Sequence, residues 1–214
     1  DYASWTFRSA PRFFKKIRYS GNGASRSISH NLGCDVGAIF VKVVSSGGNW
    51  SIWHKNLSNT TQGFLHLNET ASEGGPDSEY WDSTAPTSTE FYVGNSPATN
   101  GLGKDYIAFI FAHNDGDGEF GPDGDQDIIK CGGITTGSSS SDRQVVLGWE
   151  PQWILMKNAE STSDWIIADT MRGWFRKGYD ETNQANALMP NLSDDETMYS
   201  HGNGTNFVHH TASG

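Results

Sequence analysis

The sequence predicts an all-β protein, built as tandem antiparallel β-sandwich repeats with the second unit incomplete. Three observations carry that prediction: an internal repeat, a glycine- and aromatic-rich composition with few charges, and strand-like alternation in the apolar stretches. The repeat appears when the chain is offset by 115 residues. Leu32-Gly33 then falls on Leu147-Gly148, Ile39 on Ile154, Lys42 on Lys157, Ser46 on Ser161, Trp50 on Trp165 and Ile52 on Ile167. With Ser25 on Ser140, eight of the 38 positions in 17–54 are identical without a gap. Unrelated segments of ordinary composition would share roughly two or three. Substitutions keep character as well: Phe40 pairs with Leu155, Val41 with Met156 and Asn49 with Asp164. A period this long exceeds a solenoid unit and points to whole domains in tandem.

A second register sets the boundaries. Asp1–Phe7 resembles Asp105–Phe111 at an offset of 104, whereas Phe13-Phe14 falls on Ile128-Ile129 at 115. The later copy therefore holds 11 extra residues, within the acidic, glycine-rich stretch His113–Gln126. Thr205-Asn206-Phe207 resembles Thr89-Glu90-Phe91, with no second counterpart of Tyr106–Phe111 after it. The expected division is 1–8 as the closing strand of a preceding or permuted unit, 9–112 as the first repeat, and 113–214 as a second, truncated repeat carrying the acidic loop. Two arrangements fit: a piece of a longer repeat array, which is favoured, or a closure in which Tyr2–Arg8 completes the final unit in space.

Composition narrows the class. Twenty-five Gly, 8 Trp and 11 Phe with only 19% charged residues favour sandwiches over helices. The net charge is −10, and no basic stripe exists beyond Lys15-Lys16-Ile17-Arg18. A phosphate backbone needs clustered Lys and Arg, so no nucleic-acid partner is expected, and that run suits the solvated face of a strand. No apolar window approaches a membrane-spanning length, so no membrane insertion is expected. Cys34 and Cys131 occupy non-equivalent repeat positions, which favours free buried thiols over a framework disulfide.

Strands follow from alternation and turn residues. Ala38–Val44 and Asn49–His54 form a hairpin through Ser45–Gly48, and the repeat places the same hairpin at Trp153–Lys157 and Asp164–Asp169. Glu90–Val93 and Tyr106–Ala112 are further strands, the latter apolar enough to be buried on both faces. Short helical turns are expected only at Ala71–Gly75 and Asp194–Tyr199. Trp50 and Trp165 share a face with Ile52 and Ile167, which reads as core. Trp53 has the opposite parity and reads as the better exposed aromatic, while Trp81, Trp149 and Trp174 lie near loops.

The densest polar constellation is Asn114–Glu119 followed by Gly121–Asp127. Asp115, Asp117, Glu119, Asp123, Asp125 and Asp127 make a Ca²⁺ site one reading and a solvated acidic loop held by Asx turns the other. Neither EF-hand register works, because Phe120 or Ile128 stands where glycine is required. No Gly-x-Ser-x-Gly elbow, His-Glu-x-x-His pair or phosphate-cradling loop appears. Glu79 and Asp82 are the nearest carboxylate pair, at a spacing wrong for one face of a strand. No catalytic residue is therefore assigned, and the expectation is a protein that is not an enzyme.

The motif string Tyr2–Arg8, Ala10-Pro11, Phe13-Phe14, Tyr19–Gly23, Ser29–Gly33, Ala85–Thr89, Gly124–Gly132 and Leu147–Trp153 resembles repeats in virion proteins of marine bacteriophages. Such proteins are described as tail fibres or structural proteins, sometimes beside concanavalin A-like lectin domains. The resemblance implies jelly-roll or lectin-like sandwiches in a virion appendage, extracellular, with other virion proteins as partners and host-surface glycan as a candidate ligand. It implies a homo-oligomer, a trimer being common in fibres, although no heptad or collagen-like stretch marks one. On that reading Trp53, Trp81 and Trp174 are the first candidates for sugar stacking. A capsid decoration, a secreted bacterial adhesin, or a glycan-degrading enzyme using Glu79, Asp82 and the acidic loop are the alternatives.

Overall fold

Alternating apolar residues become antiparallel strands at Phe14–Ser20 and Asp105–Ala112, among others, in the computed structural model, which describes residues 4–135, 145–172, 184–195 and 197–200. The protein is mostly β, with antiparallel sheets. It divides into two compact units, Asp1–Leu67 with Ala71–Gly132, and Asn68–Thr70 with Gly133–Gly214.

In the first unit the strands are β1 (Phe14–Ser20), β2 (Arg26–Ser29), β3 (Val36–Val43), β4 (Trp50–His54), β5 (Leu65–His66), β6 (Glu90–Val93) and β7 (Asp105–Ala112). A five-stranded sheet runs β1-β7-β3-β4-β5, and β2 pairs with β6 separately. Side chains alternate across a strand. Ile39, Val41 and Val43 of β3 therefore share a face with Tyr106, Ala108, Ile110 and Ala112 of β7. These residues are at most 2% exposed. Ile28, Phe91 and Val93 from the β2–β6 pair, with Leu32 and Trp81, complete one core with that face. The opposite face of β7 is only half-buried, so burial of this strand is complete on one face rather than both.

Polar anchors hold the loops to this core. The fully buried Asn100 amide donates to Gly94 O at 2.7 Å, Ala24 O at 2.7 Å and Asn22 Oδ1 at 3.0 Å, and its Oδ1 accepts Asn22 N at 3.2 Å. Tyr106 donates its hydroxyl to Pro97 O and accepts from Gly101 N, while Tyr19 donates to Thr99 O. The two rings stack at 5.2 Å. Burial pushes both phenol pKa values up, which keeps them protonated as donors. The β3 ladder shifts register between Val36 and Ala38. A Cβ on Gly37, which lies in that bulge, would stand 2.7 Å from Ala112 O, so only glycine fits.

The single helical turn of this unit, α1 (Ser78–Trp81), lies away from the stretch expected at Ala71–Gly75. Asp77 caps it by accepting Glu79 N, and Asp82 ends it in the left-handed region at φ 52°. Capping chemistry, rather than apolar periodicity, decides so short an element.

The second unit contains β8 (Trp153–Met156), β9 (Ile166–Asp169), a 3₁₀ turn (Thr170–Arg172), β10 (Gln184–Ala187) and β11 (Thr197–Ser200). The helical turn expected at Asp194–Tyr199 is corrected: Thr197–Ser200 pairs as a strand with β10. In β3–β4 the partners are Ala38↔His54, Ile39↔Trp53, Phe40↔Ile52 and Val41↔Ser51. In β8–β9 they are Trp153↔Asp169, Ile154↔Ala168, Leu155↔Ile167 and Met156↔Ile166. Adding 115 to every number of the first set gives the second. The next partner recurs in kind, with Ile52 opposite Leu65 and Ile167 bridged to Leu188. Gly33 and Gly148 have φ of 87° and 86°. The repeated lysine also plays the same part in both copies. Lys42 donates to Gly48 O of its hairpin loop, and Lys157 to Asn158 O and Ser163 Oγ of its own.

The compact units divide after Gly132, whereas the repeat alignment divides the sequence at 112/113. The acidic insertion is tied to the first unit through Arg12 and Phe13.

Candidate interaction surfaces

The acidic loop is organised by one arginine. Arg12, at φ 57°, donates to the carbonyl of Asp117 at 2.7 Å and to its carboxylate at 3.2 Å, and it pairs with Glu119 at 2.9 Å. Asn114 is fully buried; its Nδ2 donates to Arg12 O, and its Oδ1 accepts Ile128 N and Ile129 N. Asp127 accepts Gly116 N and Gly118 N, and Lys130 pairs with Asp115 at 2.8 Å. That lysine holds the exposed Asp115 carboxyl below its ordinary pKa. The return segment docks Cys131 N onto His113 Nδ1 at 3.2 Å.

Of the six carboxylates that could form a Ca²⁺ cage, Asp115, Asp117 and Glu119 are thus engaged by cations and Asp127 by backbone N–H groups. Asp123 and Asp125 stand exposed beyond them. Among the described residues no three His, Cys, Asp or Glu side chains converge on one point. A hard cation needs six or more oxygens around a centre; here Asp117 and Glu119 meet Arg12, Asp115 meets Lys130, and Asp127 accepts two backbone N–H groups.

The sugar-stacking candidates need correction. Trp53 is 4% exposed, faces the core and donates its indole N–H to Thr60 O at 2.8 Å. Trp81 is 1% exposed within the same core. A ring with no open face cannot stack on a pyranose. Trp174 lies outside the described residues. Trp50, expected in the core, is instead half-buried on the opposite face, stacked on Phe109 at 5.9 Å with the Lys42 amine 6.0 Å from its centroid. The parity of β4 is legible in sequence. Which parity faces the core is not, since Ile52 on one face and Trp53 on the other are both buried.

That opposite face carries an aromatic cluster that strand patterning alone does not single out. Phe111 lies 5.0 Å from Phe14, 5.4 Å from Phe40 and 5.7 Å from Phe7. Phe13 meets Phe120 of the acidic loop edge-on at 6.4 Å. Its one sequence signal is the pair of odd-numbered aromatics of β7, Phe109 and Phe111. The described residues 4–9 form no strand, and Phe7 joins this cluster through its ring.

Glu79 is exposed in α1 and Asp82 caps it. Both cysteines are free, and burial pushes the thiols up, Cys34 to about 11 and Cys131 to about 12. Such thiols are poor nucleophiles at neutral pH. Burial lowers His30, His54 and His113, and His54 is carried to about 4 with neighbouring His113 and Lys55 adding to its own desolvation. These imidazoles are neutral structural acceptors: His30 for Leu32 N, His54 for Asn56 N, His113 for Cys131 N.

The fold defines a mostly β protein in which the buried Asn100 and Asn114 anchor loops to the first unit's core. The chain belongs to a family described as a domain of unknown function (DUF7483), whose model matches residues 9–210. No curated protein and no solved structure matches it. No described helix is long and apolar enough to cross a membrane.

Proposed function

We propose that this chain is a non-enzymatic structural module of a phage virion, in a tail fibre or similar appendage, built from two copies of one sandwich-type repeat. The observation that carries the reading is the recurrence of one hairpin, register for register, in two separate compact units. Modules that fold on their own let an appendage grow by addition. The resemblance of the motif string to repeats of marine phage virion proteins supplies the context. Among the described residues, His30, His54 and His113 accept backbone N–H groups, and burial raises the pKa of both thiols.

Host-surface glycan is the proposed ligand of the assembled appendage. With Trp53 and Trp81 in the core, the contact surface moves to loops and to the sheet face around Trp50. Mass spectrometry of purified phage particles encoding the chain tests the structural role, and a glycan array probed with the recombinant chain tests the ligand. Absence of the chain from particles overturns the virion reading. Silence across host polysaccharides removes the glycan and leaves architecture.

A further inference from the structure

In the first unit β3 is flanked on both sides, by β4 and by β7. In the second unit its counterpart β8 pairs, among the described residues, with β9 alone. The consequence shows in burial. Ala38, Ile39 and Val41 are at most 5% exposed, whereas Trp153–Met156 are all half-buried. The side of β8 turned away from β9 corresponds to the side of β3 that β7 fills. Edge strands of this kind offer a ladder of N–H and C=O groups to an incoming strand.

The sequence contains one other segment built like β7. Asp1-Tyr2-Ala3-Ser4-Trp5-Thr6-Phe7 repeats the pattern of Asp105–Phe111, with identical Asp, Tyr and Phe, aromatic Trp5 for Phe109, and β-branched Thr6 for Ile110. Ser4–Phe7 form no strand in their own chain. We propose that the open edge of β8 is a strand-acceptor site, filled by Ser4–Phe7 of a second copy of this chain.

The register follows from β3–β7, where Ile39 faces Ile110, Phe40 faces Phe109 and Val41 faces Ala108. Shifting β3 by 115 and β7 by 104 places Thr6 opposite Ile154, Trp5 opposite Leu155 and Ser4 opposite Met156. The contact joins two different surfaces, so it propagates head to tail rather than closing a two-fold dimer. That geometry suits a fibre, though the inference rests on the repeat and not on the virion assignment.

The test uses full chains with single cysteines, Ser4→Cys in one preparation and Met156→Cys in the other, mixed and oxidised mildly. The native thiols, held protonated by burial, react last. The expected product is a mixed disulfide dimer whose linked peptides contain residues 4 and 156. Replacing Met156→Cys by Ile154→Cys moves the thiol two positions out of register and lowers the yield. Thr6→Pro in the Ser4→Cys chain removes a ladder N–H from an exposed residue outside any strand, and it should cut the linked dimer at least about tenfold with the fold intact. No mixed dimer, or a double variant that links only within one chain, overturns the proposal. Either failure leaves detection of the chain in particles, and so the functional reading, unaffected.

Discussion

The β3–β4 and β8–β9 hairpins share one register and differ in what lies beside them. Both have a β-branched or long apolar residue at most paired positions, a lysine closing the loop and a leucine across from the second isoleucine. Yet Ile39 is 0% exposed while Ile154 is half-buried. The comparison teaches that pairing within a hairpin is a local property, set by alternation and turn chemistry. Burial depends on neighbours that arrive from far along the chain. β7 reaches β3 from more than sixty residues away and covers its second edge.

The largest expected difference comes from truncating the equivalent isoleucines. Ile39→Ala should cost about 3–4 kcal/mol and Ile154→Ala about 1–2 kcal/mol, because only the first leaves a fully enclosed cavity. Urea denaturation of both variants measures this. Equal losses would break the claim that β8 lacks a second neighbouring strand among the described residues.

Acid sharpens the contrast next. Histidines whose folded pKa lies below the unfolded value bind fewer protons when folded, so stability falls as pH falls. For His54 it is full above pH 6.5, declines down to about 4, and is level below that. The loss is on the order of 3 kcal/mol, and His30 and His113 add in the same direction. All three belong to the first unit. Thermal melts between pH 7 and 4, with tryptophan fluorescence and amide exchange assigning the unit, should show the first unit losing stability. An unchanged melting temperature would mean these histidines are not desolvated.

Gly37→Ala is expected to cost about 2 kcal/mol, as backbone must shift to admit the Cβ beside Ala112 O. Its repeat counterpart Gln152 already carries a side chain and is exposed, so Gln152→Ala should fall within about 0.5 kcal/mol of the native chain. Chemical denaturation of the pair reads the difference. Smallest are Gly33→Ala and Gly148→Ala. A Cβ at either meets nothing within 4 Å, leaving only the positive φ to resist it. Each should cost about 1 kcal/mol, and equally. Unequal costs would show that the two turns are not the same element.

Much of this fold is legible in the sequence. Glu90–Val93, the hairpins and the strand nature of β7 emerge as expected, because each signal is contained in a few consecutive residues, whereas β7 is buried on one face rather than both. The short helix at Ser78–Trp81 escapes a periodicity argument because its cause is an Asp77 cap. The Thr197–Ser200 strand escapes it because its apolar positions, Met198 and Tyr199, are adjacent and do not alternate. Trp53 and Trp81 are misplaced as sugar platforms, since no local pattern reveals which of two apolar faces meets the larger core.

By itself the sequence determined the internal repeat, the predominance of β structure and the place of each hairpin, all of which are written in short runs of residues. Tertiary structure alone decided that Trp53 is core, that Arg12 gathers the acidic loop into the first unit, and that among the described residues β8 has an edge where β3 has β7. Those outcomes turn on contacts between residues far apart in the chain, whose partners are chosen by shape and charge in space.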